Sequence, residues 1–336
     1  MLQRIAIDAM GGDIGPAVTV PAALRSLERH ADLEIVLVGR DSNIKHYLDA
    51  LPAQSRRRVS LCHCDQVVEM ADKPAHALRN KKESSMRLAI ELVKGGEVSA
   101  CVSAGNTGAL MAMGCYVLKT SPGIDRPAIS VALPTREGHS YLLDLGANVD
   151  SRSEHLYQFA LMGSHLSRAL DGVPRPRVAL LNIGEEEIKG NEQVKLAAQL
   201  IGGDDQLNYA GFVEADRLFD GDCDVIVCDG FVGNVALKAA EGTAKLITFK
   251  GLRMVQESFF ARLLFLLAKP ALKRVLHEVD PEVYNGAFFL GLQGVVVKSH
   301  GSASVDAFHR AIEKAVVAVE NQMVQHLDQS LAMAYT

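Results

Sequence analysis

Short β-branched runs alternate with longer segments whose apolar residues recur at helical spacing, and this rhythm constrains the chain more than any other feature. Strand-like runs occupy 4–8, 33–39, 98–103, 127–133, 140–144, 177–183 and 224–228, and helical periodicity fills 16–29, 84–94, 106–119, 153–170, 191–201 and 232–249. Parallel strands cannot be joined by a tight turn, so each pair needs a crossover element. The order therefore predicts a three-layer α/β/α fold with a mostly parallel sheet. No fixed-period repeat, low-complexity tract or Pro/Gly/Ser-rich linker divides the 336 residues, and a single α/β domain over 1–336 is expected. The rhythm breaks at about 250–286, where Pro270 and Pro281 interrupt helical patterns in a basic, very apolar stretch, and resumes at 294–297.

Lys and Arg number 35 against 40 Asp and Glu, so the formal charge of -5 offers no global field for a nucleic-acid backbone, and no nucleic-acid partner is expected. The six cysteines (62, 64, 101, 115, 223 and 228) sit in apolar or strand-like stretches, which favours reduced core thiols over a disulfide framework. The chain enters a strand-like Arg4-Ile5-Ala6-Ile7-Asp8 without an export signal, and no apolar run is long enough to span a bilayer; a cytoplasmic location is the expectation.

Ligands of open α/β sheets collect beyond the carboxyl ends of the strands, so the residues following each strand are the ones to read. The first strand ends in Asp8-Ala9-Met10-Gly11-Gly12-Asp13. Later strands lead into Ser103-Ala104-Gly105-Asn106-Thr107-Gly108, Asp144-Leu145-Gly146-Ala147-Asn148-Val149-Asp150, Gly184 to Asn191, and Asp229-Gly230-Phe231-Val232-Gly233-Asn234. Glycines let backbone N–H groups approach an anion, and a helix start adds unpaired donors. Asn contributes an amide donor that binds phosphate or a developing oxyanion without titrating. Gly and Asn are also ordinary turn and cap residues, so the recurrence at several strand ends carries the inference rather than any one turn.

The dinucleotide fingerprint and the P-loop are absent, as are a G-x-S-x-G elbow and a cysteine in a nucleophile context. Cys62-His63-Cys64 has no second ligand pair at a zinc-like spacing and reads as a strand end, so neither metal nor cofactor is expected. Two regions carry local positive charge. Arg79, Lys81 and Lys82 precede a helix whose cap is Ser84 or Ser85, and residues 245–275 hold seven cations against the single acid Glu257, a balance of +6. The apolar run 259–268 within the second region suits a helix lying on an anionic membrane surface, with a dimer or core helix with basic flanks as the alternative, and both can hold at once. His300, at the turn after Val295-Val296-Val297-Lys298, is a candidate for positioning phosphate, protonating a leaving group, or capping a carbonyl.

The strings Ile5–Asp13, Ser103–Gly108, Asp144–Asp150, Lys189-Gly190-Asn191-Glu192 and Asp229–Asn234, with Arg79–Met86 and His300-Gly301-Ser302, occur in one order from residue 1 to about 326. Together they resemble the bacterial acyl-ACP:phosphate acyltransferase family, PlsX. Cys62-His63-Cys64 and the tail from Leu327 lie outside the pattern. The resemblance implies transfer of a long-chain acyl group from acyl carrier protein (ACP) to inorganic phosphate. The acyl phosphate then feeds a downstream membrane glycerol-3-phosphate acyltransferase in phospholipid synthesis. It also implies a homodimer peripherally associated with the inner face of the membrane, and a fold similar to phosphotransacetylases and isopropylmalate dehydrogenases.

Phosphate is already a nucleophile and a thiolate leaves readily, so such an enzyme mainly positions phosphate and stabilises an oxyanion. On that basis Gly105, Asn106 and Thr107, with the backbone around Gly11 and Gly12, are expected at phosphate, and Lys189 neutralises its charge. Asn191 and Asn234 are candidate oxyanion donors, and His300 assists the departing sulfur. Asp8, Ser103, Asp144, Asn148, Asp229 and Gly233 belong to the same substrate-binding loops, the carboxylates fixing loops rather than acting as bases. Arg79, Lys81, Lys82, Arg262, Leu263, Leu264, Leu267, Lys273 and Arg274 are candidates for carrier or membrane contact. Two rival classes are an NAD-linked, metal-dependent hydroxyacid dehydrogenase on a related fold and a non-catalytic, membrane-tethered ACP-binding protein.

Overall fold

A computed structural model of the chain describes residues 3–257, 265 and 282–334. Among the described residues eleven strands form one mixed sheet in the order β3-β2-β1-β4-β11-β10-β5-β6-β9-β7-β8. They are β1 (Gln3–Asp8), β2 (Leu33–Gly39), β3 (Val59–His63), β4 (Ala100–Ser103), β5 (Ala128–Pro134), β6 (His139–Leu143), β7 (Arg177–Leu181), β8 (Asn208–Val213), β9 (Val225–Val227), β10 (Ala287–Leu290) and β11 (Val295–Lys298). Pairing is parallel except at β10, which runs against both β11 and β5, and at β5–β6. The sheet thus has two halves of opposite strand direction, β3-β2-β1-β4-β11 and β6-β9-β7-β8.

Both faces are covered, which is why the strands read as continuous apolar runs rather than alternating ones. Side chains still segregate with period two. Ile5, Ile7, Ile35, Leu37, Val295 and Val297 join one core, and Ala6, Val36, Val38 and Val296 the other. The first face carries α1 (Pro16–Arg29), α2 (Asp41–Asp49), α7 (Ser153–Asp171), α8 (Glu192–Gly202), α10 (Val305–Glu320) and α11 (Met323–Ala334). The second carries α4 (Pro74–Asn80), α5 (Ser85–Lys94), α6 (Thr107–Val117) and the start of α9 (Gly230–Glu257), while the short α3 (Ala53–Arg56) precedes β3.

The expected three-layer α/β/α class is observed, with corrections to its parts. Three strands escape the periodicity: β3 and β8 lie at the sheet edges and are only half-buried, β8 is broken by Gly211 at positive φ, and β10 has only four residues. The helix expected over 232–249 continues unbroken from Gly230 to Glu257. Beyond its first turns α9 is exposed around almost its whole circumference, with Leu246, Ile247, Phe249 and Met254 each more than half exposed. Arg262, Leu263, Leu264, Leu267, Lys273 and Arg274 lie outside the described residues. No helix among the described residues is long and apolar enough to cross a membrane.

Candidate active site

The candidate residues fall into two loop sets, one at the carboxyl ends of each half of the sheet. The first set joins the loops after β1, β4 and β11, which interlock through glycine. A Cβ at Gly11 would lie 2.7 Å from Asp8 Oδ2 and 2.9 Å from the Gly105 amide. Gly12, at φ +90°, packs against Gly301 O and Ala104, a conformation and closeness that exclude larger residues. Asp8 is buried and accepts a 2.6 Å hydrogen bond from the Ser103 hydroxyl, which in turn accepts from the Gly105 amide. Burial raises the Asp8 pKa above the usual carboxylate range.

Asn106 Oδ1 caps α6 by accepting from the Ala109 amide, and its Nδ2 donates to Met70 O and Asp72 O. The Asn106 carboxamide and the Gly105 amide are therefore committed to the fold. What remains open at this turn is the Thr107 hydroxyl, which has no hydrogen-bond partner among the described residues, and the first N–H groups of α6. His300 lies on the exposed side of the same set. Its Nδ1 accepts from the Ser302 amide at 3.3 Å and lies 3.0 Å from the Ser302 hydroxyl, which assigns the proton to Nε2. Burial, then the Lys298 and Lys238 charges, lower the His300 pKa, so a neutral imidazole presents an N–H donor at pH 7.

The second set follows β6, β9 and β7, neighbouring parallel strands. Asp144 is wholly buried and accepts from the amides of Ile129, Leu145, Ala147 and Asn148 and from Asn148 Nδ2 at 2.6–3.2 Å. Desolvation nevertheless raises its pKa. The Asn148 Nδ2 also donates to Pro127 O, so this pair builds the turn and its N–H donors are spent on it. Asp229 accepts from the Phe231 and Val232 amides at the start of α9 and pins the Ser151 amide. Gly233 brings that first turn against β6, since a Cβ there would sit 2.0 Å from Asp144 O.

Three donors on this set are open among the described residues: the exposed Lys189 ammonium, the Asn234 carboxamide over Gly146, and Asn191 Nδ2. Asn191 Oδ1 accepts from the Val194 amide as the cap of α8. Asn182, which the strand pattern hides because β7 ends one residue earlier, holds the loop by donating to Gly184 O and Lys189 O. The two sets are linked by α9. It starts at the second, and its Lys238 and Glu241 lie near enough to His300 in the first for their charges to act on the imidazole.

Of the basic residues before α5, Lys81 is committed, bonded to Asp72 at 2.5 Å and to Val67 O, while Arg79 and Lys82 are exposed; Ser84 is the cap. His63 bonds Asp41, Cys64 is buried with its thiol pushed up to about 11, and no metal-binding cluster of three His, Cys, Asp or Glu occurs among the described residues. All six thiols are raised in pKa, desolvation being the leading cause, which disfavours a thiolate nucleophile.

Residues 3–326 match the family model described as fatty acid synthesis protein. The chain is 54% identical over 330 residues to a phosphate acyltransferase of Methylococcus capsulatus, covering 98% of this chain and 97% of the relative. It is 54% identical over 316 residues to that of Halorhodospira halophila, covering 94% and 92%. In fold it is similar to a phosphotransacetylase from Streptococcus pyogenes, with a TM-score of 0.63, 15% identity, and 96% and 94% of the two chains covered. A 4-hydroxythreonine-4-phosphate dehydrogenase from Klebsiella pneumoniae shares that fold at a TM-score of 0.52 and 16% identity, with coverage of 95% and 100%. At identities this low the two structures speak for the fold alone, whereas the family match and the relatives' identity over nearly the full chain establish descent. The chain belongs to the fatty acid synthesis protein family, the PlsX family of phosphate acyltransferases, and is an acyltransferase.

Proposed function

We propose that the chain transfers a long-chain fatty acyl group from the thioester of acyl-ACP to inorganic phosphate, giving acyl phosphate and free carrier thiol for phospholipid synthesis. The observation that carries this reading is the division between committed and open polar groups. Asp8, Asp144, Asp229 and most of the amides hold loops, and the donors left open are the start of α6 with Thr107, His300 Nε2–H, Lys189, Asn191 and Asn234. A site of neutral and cationic donors suits an anionic nucleophile and an oxyanion, and the relatives' name specifies phosphate and acyl transfer. In this mechanism phosphate rests on the first loop set, donated to by α6, Thr107 and His300. A phosphate oxygen attacks the thioester carbonyl, and the C–O bond forms as the carbonyl becomes an oxyanion, the charge that the open N–H donors are proposed to hold. The C–S bond then breaks and the sulfur leaves as thiolate. Lys189 offsets the accumulated negative charge.

The test is phosphate-dependent loss of acyl-ACP with the product identified by mass spectrometry; no thioester loss with phosphate supplied would overturn the reading. Asn234→Ala is expected to lower kcat about a hundredfold with phosphate KM little changed, the signature of a donor used in the transition state. Exposed Arg79 and Lys82 are the proposed steering charges for the acidic carrier, and the apolar side chains of α9 are proposed to serve the homodimer, with the basic stretch beyond it serving an inner-membrane surface.

A further inference from the structure

Beneath the open donors of the first loop set lies a cation that strand periodicity does not single out. Lys298 is the last residue of β11 and only 8% exposed. Its ammonium has three N–H donors. One goes to Ala104 O at 3.3 Å and one to Ser299 O, the residues just before Gly105 and His300; the third has no acceptor among the described residues. No carboxylate among the described residues lies within ion-pair distance of it. Asp13 and Asp8 are near enough to favour its charge, yet burial prevails and lowers its pKa to about 8. Asp8 gives one oxygen to Ser103, while its Oδ1 is buried without a hydrogen-bond partner; Ser85 and the Met10 and Gly11 amides lie near enough to favour the carboxylate but do not bond Oδ1.

Burying an ammonium is costly unless an anion compensates it, and carbonyl oxygens fix its position without neutralising it. We propose that Lys298 is the buried cation of the anion site, supplying the charge for a tetrahedral oxyanion held over Gly12, Thr107 and Gly108. The Ala104 and Ser299 carbonyls hold it beneath both loops, so the charge sits at one place, unlike that of the exposed Lys189. This rests on the reading of the first loop set as the phosphate site. The shared ligand chemistry is a phosphate group, carried either by orthophosphate or by the phosphopantetheine arm of the carrier, and the assignment is to orthophosphate.

Lys298→Gln keeps N–H donors for the two carbonyls and removes the charge, separating a loop tie from an anion partner. The expected result is a phosphate KM raised at least tenfold, an unchanged KM for acyl-ACP, and a ligand-free Tm within a few degrees of wild type. The Tm rise that orthophosphate induces in the wild type is lost. A variant with wild-type phosphate KM and phosphate-induced Tm rise overturns the proposal. So does loss of the response to phosphopantetheine alone. Should Lys298→Gln not fold, Lys298→Met is read by the same two measurements. If the wild type itself neither responds to orthophosphate nor consumes it, the reading of the loops fails, before Lys298 is at issue.

Discussion

Asp144 and Asn234 belong to the same loop set and do opposite kinds of work. Asp144 gathers four backbone amides and one carboxamide, so its negative charge is consumed by the turn it builds. Asp144→Asn replaces one acceptor oxygen by a donor that faces amides. It is expected to destabilise the fold by about 2–4 kcal/mol, seen as a lower urea midpoint at unchanged m. Residue types at the site were legible in the sequence, because Gly and Asn after successive strands stand out. Their division of labour was not. Asn106, Asn148 and Asn234 look alike in the chain, but the first two spend their carboxamide N–H groups within the fold and the third does not. Lys298 was hidden for another reason: as the end of a valine run it reads as the rim of a strand, and only burial shows that it points inward.

Among the elements, α7 is the most deeply buried crossover helix, and it carries His165 into the core. Burial, with Arg168 and His326 adding positive charge nearby, pulls the His165 pKa down to about 4. The folded chain therefore binds fewer protons than the unfolded one between pH 6.5 and 4. Stability falls as pH drops through that window, by about 3 kcal/mol from this group when the whole window is crossed. His165→Gln should flatten the pH dependence of the urea midpoint between pH 7 and 4.5; a slope equal to wild type would assign the acid sensitivity elsewhere. The long crossovers were legible because each needs a broad apolar stripe of period 3.6. The edge strands β3 and β8 were not, since an edge strand packed on one side buries too little to write a clear pattern.

At the scale of the whole molecule, the two halves of the sheet run in opposite directions and meet at β10, whose pairing with β5 covers three residues. α9 leaves one half, passes the other, and then continues with Leu246, Ile247, Phe249 and Met254 in the open. A helix so exposed and so apolar is not stable by propensity alone and calls for a partner. Ile247→Glu, which places a charge on that helix, is expected to turn the proposed homodimer into monomers in analytical ultracentrifugation; an unchanged sedimentation coefficient would move the proposed seam away from α9. The three-layer class could be read from the order of strands and helices, whereas the reversal of direction across β10 and β5 could not, because nothing in a four-residue strand encodes which way it is laid down.

Asn285 gives the chain beyond the basic stretch an unexpected mechanical standing. Its carboxamide fastens three places at once: the Ser299 hydroxyl, the Ala307 carbonyl and the backbone amide of His300. A knot of this kind ties the chain just before β10 to the backbone of the turn that carries His300. Displacements of an ångström matter to a reacting geometry, and these three bonds set where the backbone of His300 stands relative to α10.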